Sequence, residues 1–345
     1  MATRIIAVLN QKGGVGKTTT CVNLGAALAR RGQEVLLIDM DPQANLTVHV
    51  GVDPRTVERS SYSMLLGRHA LADAVRKTST SSLSVVPSTL GLANAEIQLA
   101  SAVGRELILR DALEEWLGPQ PSPKADFVLI DCPPSLGILT MNALCAATDV
   151  LLPIQTEFFA LQGVAGILES LKAVQRLNRQ LKLSIVVPCL VDKRKTLARD
   201  VIDEVRRYFG NLVTQTMIRV NVKLAEAPSH GKTIFEYDPS SNGAKDYTSL
   251  AAEVLGEVEL PPDEADADVP VAAVVEPVPE PPAEVPPATE APTAEAAPTV
   301  AEAPTPAEAC CAAATPPESA AEAPAPAAPR TEPADESADA PVAWR

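Results

Sequence analysis

The chain has 345 residues and a formal net charge of −15. That charge sits at one end: from Pro261 to Arg345 there are 17 acids, 2 bases and 20 of the 32 prolines, and no glycine, while the residues before Pro261 balance at 27 acids and 27 bases. The acidic total therefore does not argue against a nucleic-acid partner, and no apolar run approaches the ~20 residues that a membrane span needs.

Residues 1–258 read as one globular domain and 259–345 as a disordered acidic Ala/Pro/Glu-rich tail, which cannot bury enough apolar surface to offset its ordering entropy. Ile5–Leu9 is a fully apolar run ending in a glycine-rich turn, the pattern of a buried parallel strand. A helix follows over Lys17–Arg30, closed by Gly32. Val35–Ile38 is a second buried strand, ending in Asp39-Met40-Asp41-Pro42. Short helices are predicted near Tyr62–Leu66 and Leu71–Arg76, a strand at Leu83–Val86, and a helical segment from Ala93 to Trp116. Phe127–Ile130 is a strand running into Asp131-Cys132-Pro133-Pro134. Val150–Ile154 and Leu183–Cys189 are strands, each followed by a helix (Leu161–Asn178 and Thr196–Phe209). A last strand at Val213–Ile218 leads through a loop to a final helix, Asn242–Leu255.

Apolar strands alternating with amphipathic helices predict an α/β fold of the P-loop NTPase kind, a mostly parallel twisted sheet with helices on both faces. Ligands in such folds bind at the carboxyl ends of the strands. The start begins directly with a strand and shows no signal peptide. Cys21, Cys132, Cys145 and Cys189 read as small buried hydrophobes in a reducing cytosol, so the expected location is cytoplasmic.

The first strand ends in Asn10-Gln11-Lys12-Gly13-Gly14-Val15-Gly16-Lys17-Thr18-Thr19. Gly16-Lys17-Thr18 fits the Gly-x4-Gly-Lys-Ser/Thr phosphate loop, with Gln11 in place of the first glycine. Glycines let backbone N–H groups close around phosphate, and the helix beginning at Lys17 turns its positive end toward them. Lys17 is expected on the β- and γ-phosphates and the Thr18 hydroxyl on Mg²⁺. A ligand-free glycine turn is the alternative, but Lys12 and Lys17 in one cradle would repel each other without an anion.

With its second lysine, this loop resembles the deviant Walker A motif of the ParA/MinD family. Val35–Asn45 resembles that family's second motif, Leu129–Ser135 its Walker B strand and switch II, and Leu224–Lys232 a late segment of the ParA/Soj chromosomal branch. The resemblance covers residues 3–258. It implies an ATPase using ATP and Mg²⁺, and a sandwich homodimer formed only with ATP, in which Lys12 reaches the partner's nucleotide much as an arginine finger does. It implies further that Asp41 orients the hydrolytic water, that Asp131 binds Mg²⁺ through water, that Asp39 holds Mg²⁺ waters or the loop, and that Asn221 and Pro228 read the adenine. The family's usual Pro-Arg-Asn is here Arg219-Val220-Asn221.

Within the family, an acidic proline-rich tail does not suit the membrane helix of the MinD branch. ParA proteins bind DNA without sequence preference. The candidate contacts are Lys193, Arg194, Lys195 and Arg199, with Arg219 and Lys223 in the late loop; a solvated loop at a helix start is the alternative. The resemblance implies nucleoid association, a ParB-like activator of slow hydrolysis, and chromosome or plasmid segregation. A positioning switch for a protein cargo is the second reading. An amide-forming synthetase or iron–sulfur reductase is the third, and Cys132 alone does not supply a cluster motif.

Overall fold

The computed structural model describes residues 2–118, 124–157, 164–192 and 194–257. The 259–345 tail, Lys193 and the start of the helix expected from Leu161 lie outside the described residues.

Six strands run parallel: β1 (Arg4–Val8), β2 (Val35–Asp39), β4 (Leu83–Val86), β5 (Phe127–Asp131), β6 (Asp149–Gln155) and β7 (Lys182–Cys189). The two-residue β3 (Arg76–Lys77) pairs antiparallel with β4 at one edge. The order is β3-β4-β2-β5-β1-β6-β7. Every residue of β2, β4 and β5 is buried, as expected for strands covered on both faces.

Alternate strand residues feed two cores. Ile6, Val8, Leu37 and Leu129 pack with α1 (Lys17–Ala29), α2 (Asn45–His49), α10 (Val222–Glu226), α11 (Ile234–Tyr237) and α12 (Asn242–Val254). Ala7, Ile38, Val128 and Ile130 pack on the other face with α3 (Ser61–Leu65), α4 (Leu71–Ala74), α5 (Ala95–Gln98), α6 (Ile108–Leu117), α7 (Ile138–Ala146), α8 (Val164–Val174) and α9 (Thr196–Phe209).

Two expected elements differ. The helix expected over 93–116 is broken: a 3-10 turn and α5 end at Gln98, and α6 starts only at Ile108. Gly104 lies between them with φ +72°. The break is stitched by Asn142 of α7, whose Nδ2 donates to the Arg105 carbonyl at 2.7 Å and whose Oδ1 accepts from Leu109 N at 3.1 Å. The strand expected over 213–218 is reduced to isolated bridges, Val186 to Val213 and Val191 to Arg219. Between them the chain is taken over by side chains: Glu253 accepts from Gln215 N at 2.9 Å and Thr216 N at 2.6 Å.

Candidate nucleotide site

Strand order builds the site. β5 lies between β2 and β1, and the register sets Asp39 and Val8 both opposite Asp131. The phosphate loop, the 39–41 carboxylates and Asp131 therefore leave the sheet side by side at its carboxyl edge.

In the loop, Gly14 and Gly16 have φ of +74° and +93°, a left-handed backbone that a side chain would strain. A Cβ on Gly13 or Gly14 would meet nothing within 4 Å, so the loop is lined by backbone rather than by side chains. Helix α1 begins at Lys17 with no side-chain cap and no acid in its first turn. Its first N–H groups and its dipole are thus left for an anion.

Lys17 is buried, and its Nζ donates to the Lys12 carbonyl at 3.2 Å. Burial lowers its pKa, opposed by Asp131 and Asp41. Lys12 turns the other way: its Nζ pairs with Glu157 at 2.6 Å, with the Lys12 side chain 47% exposed. The two ammonium groups thus have different partners. Lys12 N is held by Asn10 Oδ1 at 2.9 Å, and Asn10 Nδ2 donates to the Pro153 carbonyl at 2.7 Å. Glu157 was not singled out in the sequence. Its signal was available: a carboxylate just past a buried strand, as with Asp131.

The carboxylates divide their work. Asp131 Oδ2 accepts from the Thr18 hydroxyl at 2.6 Å. Among the described residues nothing donates to its buried Oδ1. Burial, then the charge of Asp39, pushes the Asp131 carboxyl well above the ordinary range. Asp39 accepts from Thr47 N at 2.8 Å, Thr47 Oγ1 at 2.6 Å and Asp41 N at 3.1 Å. Both its oxygens are spent on the loop that carries Asp41, and burial pushes its pKa up to about 7. Asp41 Oδ1 accepts from Gln43 N at 2.9 Å, and its carbonyl accepts from Ser88 Oγ at 2.8 Å.

Three buried acids stand against one buried lysine, two of them with their ionised forms disfavoured by burial, and an orphan oxygen lies beside a hydroxyl. That donor set fits a divalent cation of the Mg²⁺ kind.

A cavity of about 650 Å³ opens from the loop, within the range of nucleotide-sized pockets. Its wall includes Gly13, Gly16, Lys17, Thr18, Thr19 and Asp41 at one side and Asn221 and Pro228 at another. Val15, the remaining loop residue, is buried. Asn221 Oδ1 caps α10, accepting from Lys223 N at 2.8 Å and Leu224 N at 3.3 Å. Helix α12 closes the floor, with Tyr247 Oη 3.1 Å from Thr20 Oγ1.

The basic candidates separate. Arg194 is 90% exposed and pairs with Asp192 at 2.9 Å. Lys195, at the start of α9, and Arg199 are exposed. Val191 and the 218–220 segment are neighbours, joined by Val191 N to Ile218 O at 3.0 Å and Val220 N to Val191 O at 3.2 Å. Arg219 does not stand free. Its Nε donates to Asp246 of α12 at 3.0 Å, its Nη2 donates to the same carboxylate, and it forms part of the cavity wall. Lys223 pairs with Glu226 at 2.9 Å.

Residues 3–183 match the AAA domain family. Sporulation initiation inhibitor protein Soj of Bacillus subtilis is 46% identical over 252 residues, spanning 73% of this chain and 98% of the relative. Chromosome partitioning protein ParA of Caulobacter vibrioides is 44% identical over 254 residues, spanning 73% and 94%. The chain belongs to the ParA/Soj family. Among solved structures, cobyrinic acid a,c-diamide synthase from Mycobacterium smegmatis with bound ADP and magnesium is 38% identical, with a TM-score of 0.64 over 74% of this chain and 94% of that one. MinD from Pyrococcus horikoshii complexed with Mg-ADP is 27% identical, with a TM-score of 0.59 over 73% and 96%.

This ParA/Soj protein is a P-loop ATPase of the partitioning group that works with ATP and Mg²⁺. Among the described residues no helix is long and apolar enough to cross a membrane.

Proposed function

We propose that this ParA/Soj ATPase is an ATP-gated homodimer that binds DNA without sequence preference and segregates chromosome or plasmid DNA with a ParB-like activator. The observation that carries the reading is the outward course of Lys12. Its side chain is half exposed, is not part of the cavity wall and, among the described residues, is held by a surface ion pair alone. Such a pair is worth about 0–1 kcal/mol, so Lys12 is easily released toward a second copy's nucleotide.

Lys17 and the backbone of Gly13–Thr19 would hold the phosphates, and Asn221 and Pro228 the adenine. Thr18 and, through water, Asp131 would hold Mg²⁺, which would offset phosphate charge. Asp41 would orient the attacking water. Asp39 serves by fixing the 41–47 loop through its three hydrogen bonds, which keeps Asp41 in place.

DNA contact is assigned to Arg194, Lys195 and Arg199 with Lys193, which a dimer would present twice. Arg219 is given instead to the cavity wall, because Asp246 already satisfies its fork. The location that follows is the cytoplasm, on the nucleoid.

Co-sedimentation with nonspecific duplex DNA tests this. Asp41→Ala is expected to stay bound to DNA with ATP and Mg²⁺ and to be released when ATP is withdrawn. DNA retention that ignores ATP would refute the reading.

A further inference from the structure

The cavity wall carries a group that the phosphate chemistry leaves unused. His49 ends α2 and forms part of the wall. It is 1% exposed, and its Nε2 has no hydrogen-bond partner among the described residues. A buried polar atom left unpaired costs about 1–3 kcal/mol, so one that persists beside a cavity calls for a partner within it.

Its position is set by backbone packing. Helix α2 packs on the 227–230 turn that carries Pro228. Gly51 and Gly231 meet there: a Cβ on Gly231 would lie 2.7 Å from Gly51 Cα, and Gly231 has φ +62°. This approach brings the Lys232 backbone onto the imidazole, which hydrogen-bonds to it. With Nε2 unpartnered, that bond belongs to Nδ1–H, donating to the carbonyl. The tautomer is thereby fixed and Nε2 is left as a bare acceptor. Burial holds the ring in its neutral form, with the pKa lowered to about 4.

A bare acceptor cannot serve the phosphates, which are acceptors themselves. The donors of an adenine nucleotide lie on the nucleoside: the amino group of the base and the ribose hydroxyls. His49 stands beside the turn whose Pro228 is given to the base.

We propose that His49 Nε2 accepts a hydrogen bond from a nucleoside donor of ATP, which makes His49 a specificity-determining residue of the cavity. This rests on the reading of that cavity as the ATP site.

The test is calorimetric binding of diphosphates, which avoids hydrolysis and ATP-driven dimerisation. ADP, inosine diphosphate (no amino group), 2′-deoxyADP and 3′-deoxyADP are titrated with Mg²⁺ into the wild-type chain, His49→Leu and His49→Gln. Wild type is expected to bind ADP about tenfold more tightly than one of the three analogues, one missing hydrogen bond with its partner left unpaired. That analogue names the donor. In His49→Leu, ADP should weaken about tenfold and that preference should vanish. His49→Gln, whose side-chain oxygen reaches about as far as Nε2, should restore part of it. Thermal melting confirms that each variant is folded.

Unchanged ratios in a folded His49→Leu, or no discrimination by wild type, overturn the proposal. The cavity reading fails separately, if Lys17→Ala leaves ADP binding intact.

Discussion

Acid is expected to unfold this domain partly through His49, and His49→Leu should remove that part. The imidazole is buried with its pKa at about 4, against ~6.5 for an unfolded histidine. A folded-state pKa below the unfolded one means that the neutral ring favours the fold fully above ~6.5. The advantage is lost as pH falls toward 4. Between those limits the change is about 3 kcal/mol, and by pH 5 about 2 kcal/mol has gone. Asp39, pushed up to about 7, has the opposite slope, since its raised pKa costs stability as pH rises from ~4 to 7. That slope is shared by wild type and variant and cancels in their difference. Urea unfolding of the nucleotide-free proteins at pH 7.5, 6 and 5 measures it. The variant should gain about 2 kcal/mol on wild type between pH 7.5 and 5, or roughly 4–8 °C in Tm for a domain of this size. Stability curves that stay parallel over that range would show that the ring is not held neutral, and would also undercut its use as an acceptor.

Three further outcomes are expected. Lys12→Ala should retain ATP binding and lose the ATP-dependent dimer in analytical ultracentrifugation, with apo stability changed by no more than about 1 kcal/mol because its partner Glu157 is exposed. Asp131→Asn should leave apo thermal stability unchanged or raised, since burial and Asp39 disfavour the carboxylate. It should also erase most of the gain from Mg-ADP, which at 100 times Kd is worth about 2.7 kcal/mol in the wild type. Arg219→Ala should cost about 1–3 kcal/mol, because it strands the largely buried Asp246, whereas Arg194→Ala should leave stability alone and lower the salt slope of DNA binding by ~1 for each phosphate it no longer neutralises. The reverse pattern would move the DNA surface to the 219–223 segment.

The sheet and the phosphate end of the site were legible in the sequence because each rests on a local pattern. Apolar runs such as Phe127–Ile130 become strands, and a carboxylate or glycine loop placed just past such a run stands at the ligand edge. What was not legible depends on contacts distant in sequence. Nothing near Lys12 announces that Glu157 waits 145 residues on, although both follow buried strands that end side by side. His49 sits in an irregular stretch as an ordinary polar residue. It is buried where Gly51 touches Gly231, 180 residues away in sequence. Arg219 looked like a surface cation because its partner, Asp246, lies on a helix that reads as a separate element. The break in the 93–116 helix likewise depends on Asn142 reaching in from α7.

The role of α12 in the cavity has a consequence for biosynthesis. The phosphate loop is made before the other elements of the site, yet β1 lies between β5 and β6, and the floor and wall of the cavity wait for Tyr247 and Asp246. The nascent domain therefore cannot complete its nucleotide site until the last helix has been made.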